Sequence, residues 1–170
     1  MEAELKVRRA TEDDLEELLG LAEQRRQQYR LYHPQFWCPA DDAVQQQRGF
    51  FRSLLDDDQA VVLLAELRSE FKGFVIARTL SAPPVYHPGG LTCLVDDFTV
   101  LDAADWSRVG HALLDGVRNW GAENGAVQLV VVTAHLDEPK RAALQEAQLT
   151  LASEWWVGSA IGHPPEPPIV

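Results

Sequence analysis

The segment from Leu91 to Thr133 limits the possible folds more than any other part of the sequence. It begins with a strand-like run, LTCLVDDFTVL, turns at 102–105, and continues from Trp106 to Asn124 with apolar residues at helical spacing. Gly125 is a typical helix stop, and the apolar run VQLVVVT that follows is typical of a strand buried on both faces. The segment therefore predicts two parallel strands joined by a helix in a right-handed crossover.

The region before this segment alternates between helix and strand signals. Leu5–Arg9 has strand-like alternation, and Thr11 with Asp14 predicts a capped helix over about 12–28. A second helix is expected from Asp41 and Asp42 to about Leu55.

A hairpin is the next feature. The runs Ala60–Arg68 and Phe71–Leu80 are rich in strand formers, with a tight turn at Ser69-Glu70 between them. The prolines and glycines of 81–90 predict a loop.

The end of the chain predicts one more helix, one more strand and a tail. Asp137 is suited to cap a helix that reaches about Ala147, with Pro139 in its first turn. Leu149–Gly158 is predicted to be the last strand, and 159–170 to be a proline-rich tail.

The expected architecture is therefore a single α/β (α+β) domain over residues 1–158. Its mixed, mostly antiparallel twisted sheet would have about six or seven strands flanked by helices. No internal repeat or linker divides the 170 residues.

The net charge of the chain indicates which kinds of binding partner are favoured. There are 26 acidic and 15 basic side chains, a formal net charge of −11, which disfavours nucleic acid and slightly favours a cationic partner. No apolar stretch is long enough for a membrane span, and the N-terminus MEAELKVRRATEDD lacks the apolar region of a secretory signal. We therefore expect a cytoplasmic protein without a membrane partner.

The metal-binding residue types show no ligand pattern. Cys38 and Cys93 lack CxxC spacing, and the five histidines show no ligand spacing. Reduced structural thiols and no metal site are expected.

The start of the helix at 106–124 is a candidate phosphate site. A helix N-terminus offers backbone N–H groups and positive potential, and Gly110 and Ala112 would let a ligand approach the backbone. Arg108 and His111 add local positive charge. Alternatively, Gly110 and Ala112 simply allow the helix to pack against the sheet.

The element order and the segments VDDFTV, SRVGHALL and LVVVTAH resemble the GNAT superfamily of acyl-CoA-dependent N-acetyltransferases, over about residues 5–158. In that family an (Arg/Gln)-x-x-Gly-x-(Gly/Ala) motif holds the coenzyme A diphosphate. Gly110 and Ala112 match it, whereas Ser107 departs from the usual Arg or Gln. The resemblance implies acetyl-CoA as co-substrate and the following contacts with it: Phe98, Thr99, Val100, Ser107, Arg108, Val109, Gly110, His111, Ala112, Leu113, Asp137, Lys140 and Leu144.

The resemblance also implies that strand 91–101 splays away from strand 127–133, so that the pantetheine arm inserts between them. A neutral amine would then attack the thioester directly. Asp96, on the strand face expected to include Phe98 and Val100, is the preferred base, and Asp97 the alternative if a β-bulge exchanges their faces.

Several groups are candidates for the general acid that protonates the leaving thiolate. Leu144 falls where the family often has a tyrosine, so that the usual acid is absent. His135 is a candidate, and so is water, because a thiolate demands little help.

The acceptor pocket would be lined by aromatic residues. The candidates are Tyr29, Tyr32, His33, Phe36, Trp37 and Trp155, which suit an apolar or cationic amine of a small molecule or peptide. These rings could instead be core residues. A tryptophan-bearing last strand at a sheet edge would favour a homodimer.

Two other hypotheses remain open from the sequence. The first is a catalytically silent domain that binds acyl-CoA. The second is an α/β module that binds no coenzyme and works through partner contacts.

Overall fold

Five strands form one mixed sheet in the computed structural model, which describes residues 4–162. The strands lie side by side in chain order, β1 to β5. Neighbouring strands are antiparallel except for the parallel pair β4–β5. The elements are β1 (Leu5–Arg9), α1 (Leu15–Tyr32), α2 (Ala43–Leu55), β2 (Ala60–Leu67), β3 (Glu70–Leu80), β4 (Leu91–Val100), α3 (His111–Glu123), β5 (Ala126–Val131) and α4 (Glu138–Glu146).

The first helix begins where its capping residues predict. Asp14 accepts hydrogen bonds from the Thr11 backbone N–H at 2.7 Å and from the Thr11 hydroxyl at 3.0 Å. A 3-10 turn over Glu12–Asp14 leads into α1, which continues to Tyr32, one turn beyond the predicted end. Among residues 4–162, no helix is both long and apolar enough to cross a lipid bilayer.

The predicted hairpin is confirmed, with its turn one residue earlier than expected. Arg68 and Ser69 have φ of 56° and 64°. Two consecutive left-handed residues match the right-handed twist of the flanking strands, which explains why the β2–β3 turn is tight.

A β-bulge interrupts β4 at its centre. Ile76 pairs with Asp97 and Ala77 pairs with Val95, so that Asp96 is the extra residue. Val95 and Phe98 consequently belong to the same buried cluster. The prediction that Asp96 shares a face with Phe98 is therefore wrong, because alternation along a strand is broken at a bulge.

Each face of the sheet carries its own hydrophobic cluster. α1 and α2 pack on one face, where Leu18 and Phe51 meet Phe74. α3 and α4 pack on the other, where Leu113 and Leu144 are buried. Layers of helix on both faces satisfy the apolar sides of the sheet.

The predicted last strand is absent. Residues 149–159 form neither helix nor strand, so that the sheet has fewer strands than expected and ends at β5. Trp155 and Trp156 are 82% and 90% exposed. Strand-forming residues alone do not make a strand, because pairing and burial supply most of their preference. Of the predicted tail, 163–170 lies outside the described residues.

Candidate functional site

A gap between the two parallel strands is the central feature of the site. β4 and β5 pair from Leu91 to Val95, and the Val132 N–H donates to the Val95 carbonyl at 3.1 Å. Beyond that bond β4 continues to Val100, and no strand among residues 4–162 pairs with this side of it. The predicted splay of the parallel pair is therefore confirmed.

Beyond Val95, the edge of β4 that has no paired strand among the described residues presents backbone groups to the gap. The Leu101 N–H donates to the Lys72 carbonyl of β3 at 2.8 Å. Backbone groups alternate in direction along a strand, so those of Thr99 face β3 as well, and those of Phe98 and Val100 face the gap. This is the arrangement in which an extended ligand can add to the strand.

A cavity of about 180 Å³ opens beside this part of β4. Its walls come from α1, the end of β4, the helical turns before α3 and the start of α4, and they include Arg25, Thr99, Trp106 and Asp137. Its lining includes Thr99, Val100 and Asp137, three of the residues for which the resemblance implies contact with the coenzyme.

The helix start after β4 differs from the simple N-terminus expected. A 3-10 turn at Ala103–Asp105 and a π-helical turn at Trp106–Gly110 precede α3. An Asp102 carboxylate oxygen accepts from the Ala104 N–H at 2.9 Å. One backbone donor of this turn therefore already has a carboxylate partner, and that charge opposes a diphosphate.

Gly110 is needed by the protein's own packing. A Cβ at Gly110 would lie 2.6 Å from Cε3 of Trp106, which stands one turn earlier. The Trp106 indole also packs edge-on against the Phe98 ring, with centroids 4.8 Å apart. Gly110 thus leaves room for Trp106 to form one wall of the cavity, a contact within the helix start rather than the packing of helix against sheet that was the alternative for this glycine.

The other residues of the helix motif differ in how far they are buried. Val109 and Leu113 are buried in the core, as is Leu144 of α4. His111 Nε2 lies 2.9 Å from the Ala143 carbonyl and joins α3 to α4. Ser107 and Arg108 are exposed, and Ala112 is half-buried. Ser107 and Arg108 are therefore the most exposed of these motif residues.

Lys140 is the most unusual residue of the site. It is fully buried, and its Nζ donates to the Val132 carbonyl at 3.0 Å, at the point where β5 leaves β4. Nζ also lies 5.4 Å from the centre of the Phe98 ring and 5.9 Å from that of Trp106. Burial lowers the pKa of Lys140 to about 7, with Arg25 acting in the same direction and Asp137 and Asp97 opposing.

Asp137 joins the first turn of α4 to α1. Its carboxylate accepts from the Tyr29 hydroxyl at 2.8 Å and caps α4 through the Lys140 N–H. Burial is the main reason why the pKa of Tyr29 is raised to about 12. The predicted capping role of Asp137 is confirmed.

The two adjacent aspartates of the bulge have opposite environments. Asp97 is buried, forms an ion pair with Arg25 of α1 and accepts from Gln47 of α2 at 3.2 Å. Desolvation raises its pKa, although the Arg25 charge acts against this. Asp96 is half-exposed, and its nearest cation is Arg78 at 3.9 Å. Of the two bulge aspartates, Asp97 is therefore the buried one.

The predicted acceptor-pocket aromatics are brought together. Tyr29 contacts Tyr32 and Trp37, and Phe36 contacts His33, Trp37 and Trp155, with centroid distances of 4.7–6.4 Å. Within residues 4–162, none of these rings lines the cavity beside β4. The structure places them as a connected aromatic cluster at the end of α1.

His135 does not reach the gap with a hydrogen bond. Its ring is exposed, and its backbone carbonyl accepts from Arg141 at 2.7 Å. Among residues 4–162, no group of three or more His, Cys, Asp or Glu side chains could hold a metal ion.

Sequence reasoning did not identify Arg25 and Trp106 as site residues. Arg25 lies one turn before Tyr29, and its guanidinium stacks over that ring at 4.9 Å. Trp106 and Gly110 are likewise one turn apart. Spacing of four residues places side chains on one helix face and could have indicated both pairs.

Similar folds occur among solved structures, although no protein-family model and no curated protein sequence matches the chain. An aminoglycoside N-acetyltransferase AAC(6')-Iy in complex with CoA superimposes with a TM-score of 0.71 at 16% identity, covering 94% of this chain and 96% of that one. A predicted acetyltransferase with acetyl-CoA from Clostridium acetobutylicum gives 0.70 at 17%, covering 94% and 99%. A ribosomal-protein-alanine N-acetyltransferase from Brucella melitensis gives 0.62 at 19%, covering 91% and 98%. This chain therefore has the GNAT fold.

Proposed function

We propose that this protein is an N-acyltransferase that moves an acetyl group from acetyl-CoA to an amine of a small molecule or peptide. The observation that carries the proposal is the gap between β4 and β5, with the backbone of Phe98 and Val100 turned towards it and a cavity at its open end. Solved structures with the same fold contain CoA or acetyl-CoA, which supports this choice of co-substrate.

The backbone along the gap supplies the binding part of the chemistry. Amide and carbonyl groups of Phe98 and Val100 can pair with the amides of a pantetheine arm as a neighbouring strand would. An N–H group aimed at the thioester oxygen would stabilise the negative charge that develops during attack. These interactions need no particular side chain, so we expect them to form despite the altered motif at Ser107.

Asp97 is our preferred base for the acceptor amine. It is enclosed between the sheet, α1 and α2, and desolvation moves its pKa towards a value useful for proton transfer. Asp96 faces solvent and lacks this environment. The acceptor would approach from the α1 and α2 side, where the aromatic cluster suits an amine with apolar or cationic character.

Binding of the co-substrate is tested by calorimetric titration with acetyl-CoA, followed by thiol release with a panel of amines. Ser107→Arg restores the family's usual first motif residue at an exposed position, and we expect it to tighten acetyl-CoA binding about 2- to 5-fold. Ser53→Arg adds the same charge on the exposed face of α2 and is the matched control. Absence of any binding at millimolar acetyl-CoA would remove the proposal.

A catalytically silent acyl-CoA-binding domain is the second candidate. Leu144 occupies the place of the family's tyrosine and is buried in the core, and Asp102 brings a negative charge to the helix start. Binding of acetyl-CoA without thiol release for any amine would favour this candidate.

A further inference from the structure

We propose that Lys140 is the residue that protonates the departing coenzyme thiolate, in place of the tyrosine that this chain lacks. This inference rests on the proposed transfer from acetyl-CoA.

The position of Lys140 in α4 is the first argument. Lys140 and Leu144 are one turn apart and lie on the same helix face. Leu144 ends in the core, whereas the longer Lys140 side chain reaches the Val132 carbonyl at the last bond between β4 and β5. Its Nζ therefore stands at the closed end of the gap, where the acyl end of an inserted arm would stop.

The surroundings of Nζ are the second argument. The Phe98 and Trp106 rings shield it from water, and the side chain has no exposed surface. The charged and titratable groups around it are Arg25 and Tyr29 of α1, Asp96 and Asp97 of β4, and Asp137 at the start of α4. A pKa of about 7 leaves both protonation states accessible at neutral pH, as a proton donor to a thiolate requires.

A purely structural lysine is a weak explanation for this placement. Within its described surroundings, the hydrogen-bond acceptor of Nζ is a single backbone carbonyl, at Val132. A methionine of similar length would fill the same space without burying an ionisable group.

The proposed step is balanced. The acceptor nitrogen bonds to the thioester carbon, the carbon–sulfur bond breaks, and the electron pair stays on sulfur. Sulfur takes a proton from the Lys140 ammonium, and the acceptor nitrogen gives one to Asp97. Asp97 then releases a proton to solvent and Lys140 takes one up, so that the protein returns to its starting state.

The first test uses turnover of the whole protein. We expect Lys140→Met to lower kcat about 100-fold, to leave KM for acetyl-CoA within about 3-fold, and to remove the fall in kcat at alkaline pH. Lys140→Met combined with Leu144→Tyr should recover about 10-fold. Lys6→Met, on the exposed side of β1, is the matched control and should leave kcat unchanged. An unchanged pH profile in Lys140→Met, or acetylation of Lys140 detected by intact mass, would overturn the role.

The second test needs no turnover. The ultraviolet absorbance of the thiolate is followed as a function of pH for CoA bound to the wild-type protein, with desulfo-CoA as the blank. The same titration is made with Lys140→Met; if Lys140 lies beside the sulfur, its ammonium favours the thiolate, so the thiol of bound CoA ionises about one pH unit or more lower in the wild-type protein than in Lys140→Met. Bound CoA that ionises at the same pH in the two proteins refutes the role of Lys140 alone. CoA that does not bind refutes the proposed function as well.

Discussion

The Tyr29 hydroxyl donates a 2.8 Å hydrogen bond to the Asp137 carboxylate, joining α1 to the first turn of α4. The two helices pack on opposite faces of the sheet, so that this bond passes beyond the last pairing of β4 with β5. Tyr29 and Asp137 are both buried. The open end of the gap is therefore bridged by a bond between side chains rather than by strand pairing.

Replacing Tyr29 with phenylalanine should destabilise the fold by about 1–3 kcal/mol, because the buried Asp137 carboxylate loses a donor. The control is Tyr32→Phe. The Tyr32 hydroxyl accepts a hydrogen bond from the exposed Gln28 side chain, so its removal should cost less than about 0.5 kcal/mol. Urea unfolding followed by circular dichroism measures both. Equal effects of the two variants would show that the Tyr29–Asp137 bond contributes nothing.

The same bond predicts a loss of stability in alkali. The pKa of Tyr29 is raised from 10.0 to about 12 in the folded state, so the unfolded chain loses this proton first. Stability from Tyr29 is complete below pH 10 and decreases as the pH rises from about 10 to 12. The difference in unfolding free energy between wild type and Tyr29→Phe should shrink over that range. A constant difference would contradict the raised pKa.

Lys140→Met should change stability in a pH-dependent way. The pKa of Lys140 falls from 10.5 unfolded to about 7 folded, so the unfolded chain binds more protons between these values. Wild-type stability from this group therefore increases as the pH rises from about 7 to 10. Relative to wild type, Lys140→Met should be most stable below pH 7, and its advantage should decrease towards pH 10. Urea titrations at several pH values test this, and a pH-independent difference would be contrary to it.

Gly110→Ala should cost about 1–3 kcal/mol, because the new methyl group would overlap the Trp106 ring. Gly49→Ala is the control, since nothing lies within 4 Å of a Cβ at that helical position, and it should stabilise by about 0.5–1 kcal/mol. Trp106 fluorescence should change in the first variant and not in the second. A neutral Gly110→Ala would mean that Trp106 moves freely.

Asp97→Asn should destabilise the protein by about 3 kcal/mol, because it leaves the largely buried Arg25 guanidinium without its carboxylate. Asp96→Asn, which removes a half-exposed charge 3.9 Å from Arg78, should change stability by less than about 0.5 kcal/mol. If the proposed function is correct, Asp97→Asn should also lower kcat about 100-fold in the fraction that remains folded. Full turnover in Asp97→Asn would exclude it as the base.

Local signals in the sequence predicted most of the elements correctly. The Thr11–Asp14 capping pair, the Asp137 cap and the β2–β3 turn act within a few residues of themselves, so their physics is present in the printed sequence. The apolar run of β5 predicted its place beside β4, but the prediction that it is buried on both faces is wrong: no residue of β5 is buried, and Val127 and Val130 are 55% and 41% exposed, because β5 is the edge strand of the sheet. The predicted strand at 149–158 failed because its residues find no paired neighbour, and strand formation depends on one.

The sequence by itself determined the order of the elements, the parallel β4–β5 pair and the presence of a small-residue helix start after β4. Only the tertiary structure decided that a bulge turns Asp97 inward and leaves Asp96 outside, that Trp106 occupies the space above Gly110, and that Lys140 is buried at the end of the gap. These outcomes depend on contacts between residues far apart in the chain, such as Arg25 with Asp97 and Lys140 with Val132. Capping and periodicity are local interactions, whereas the protonation and exposure of a side chain depend on everything that the fold packs around it.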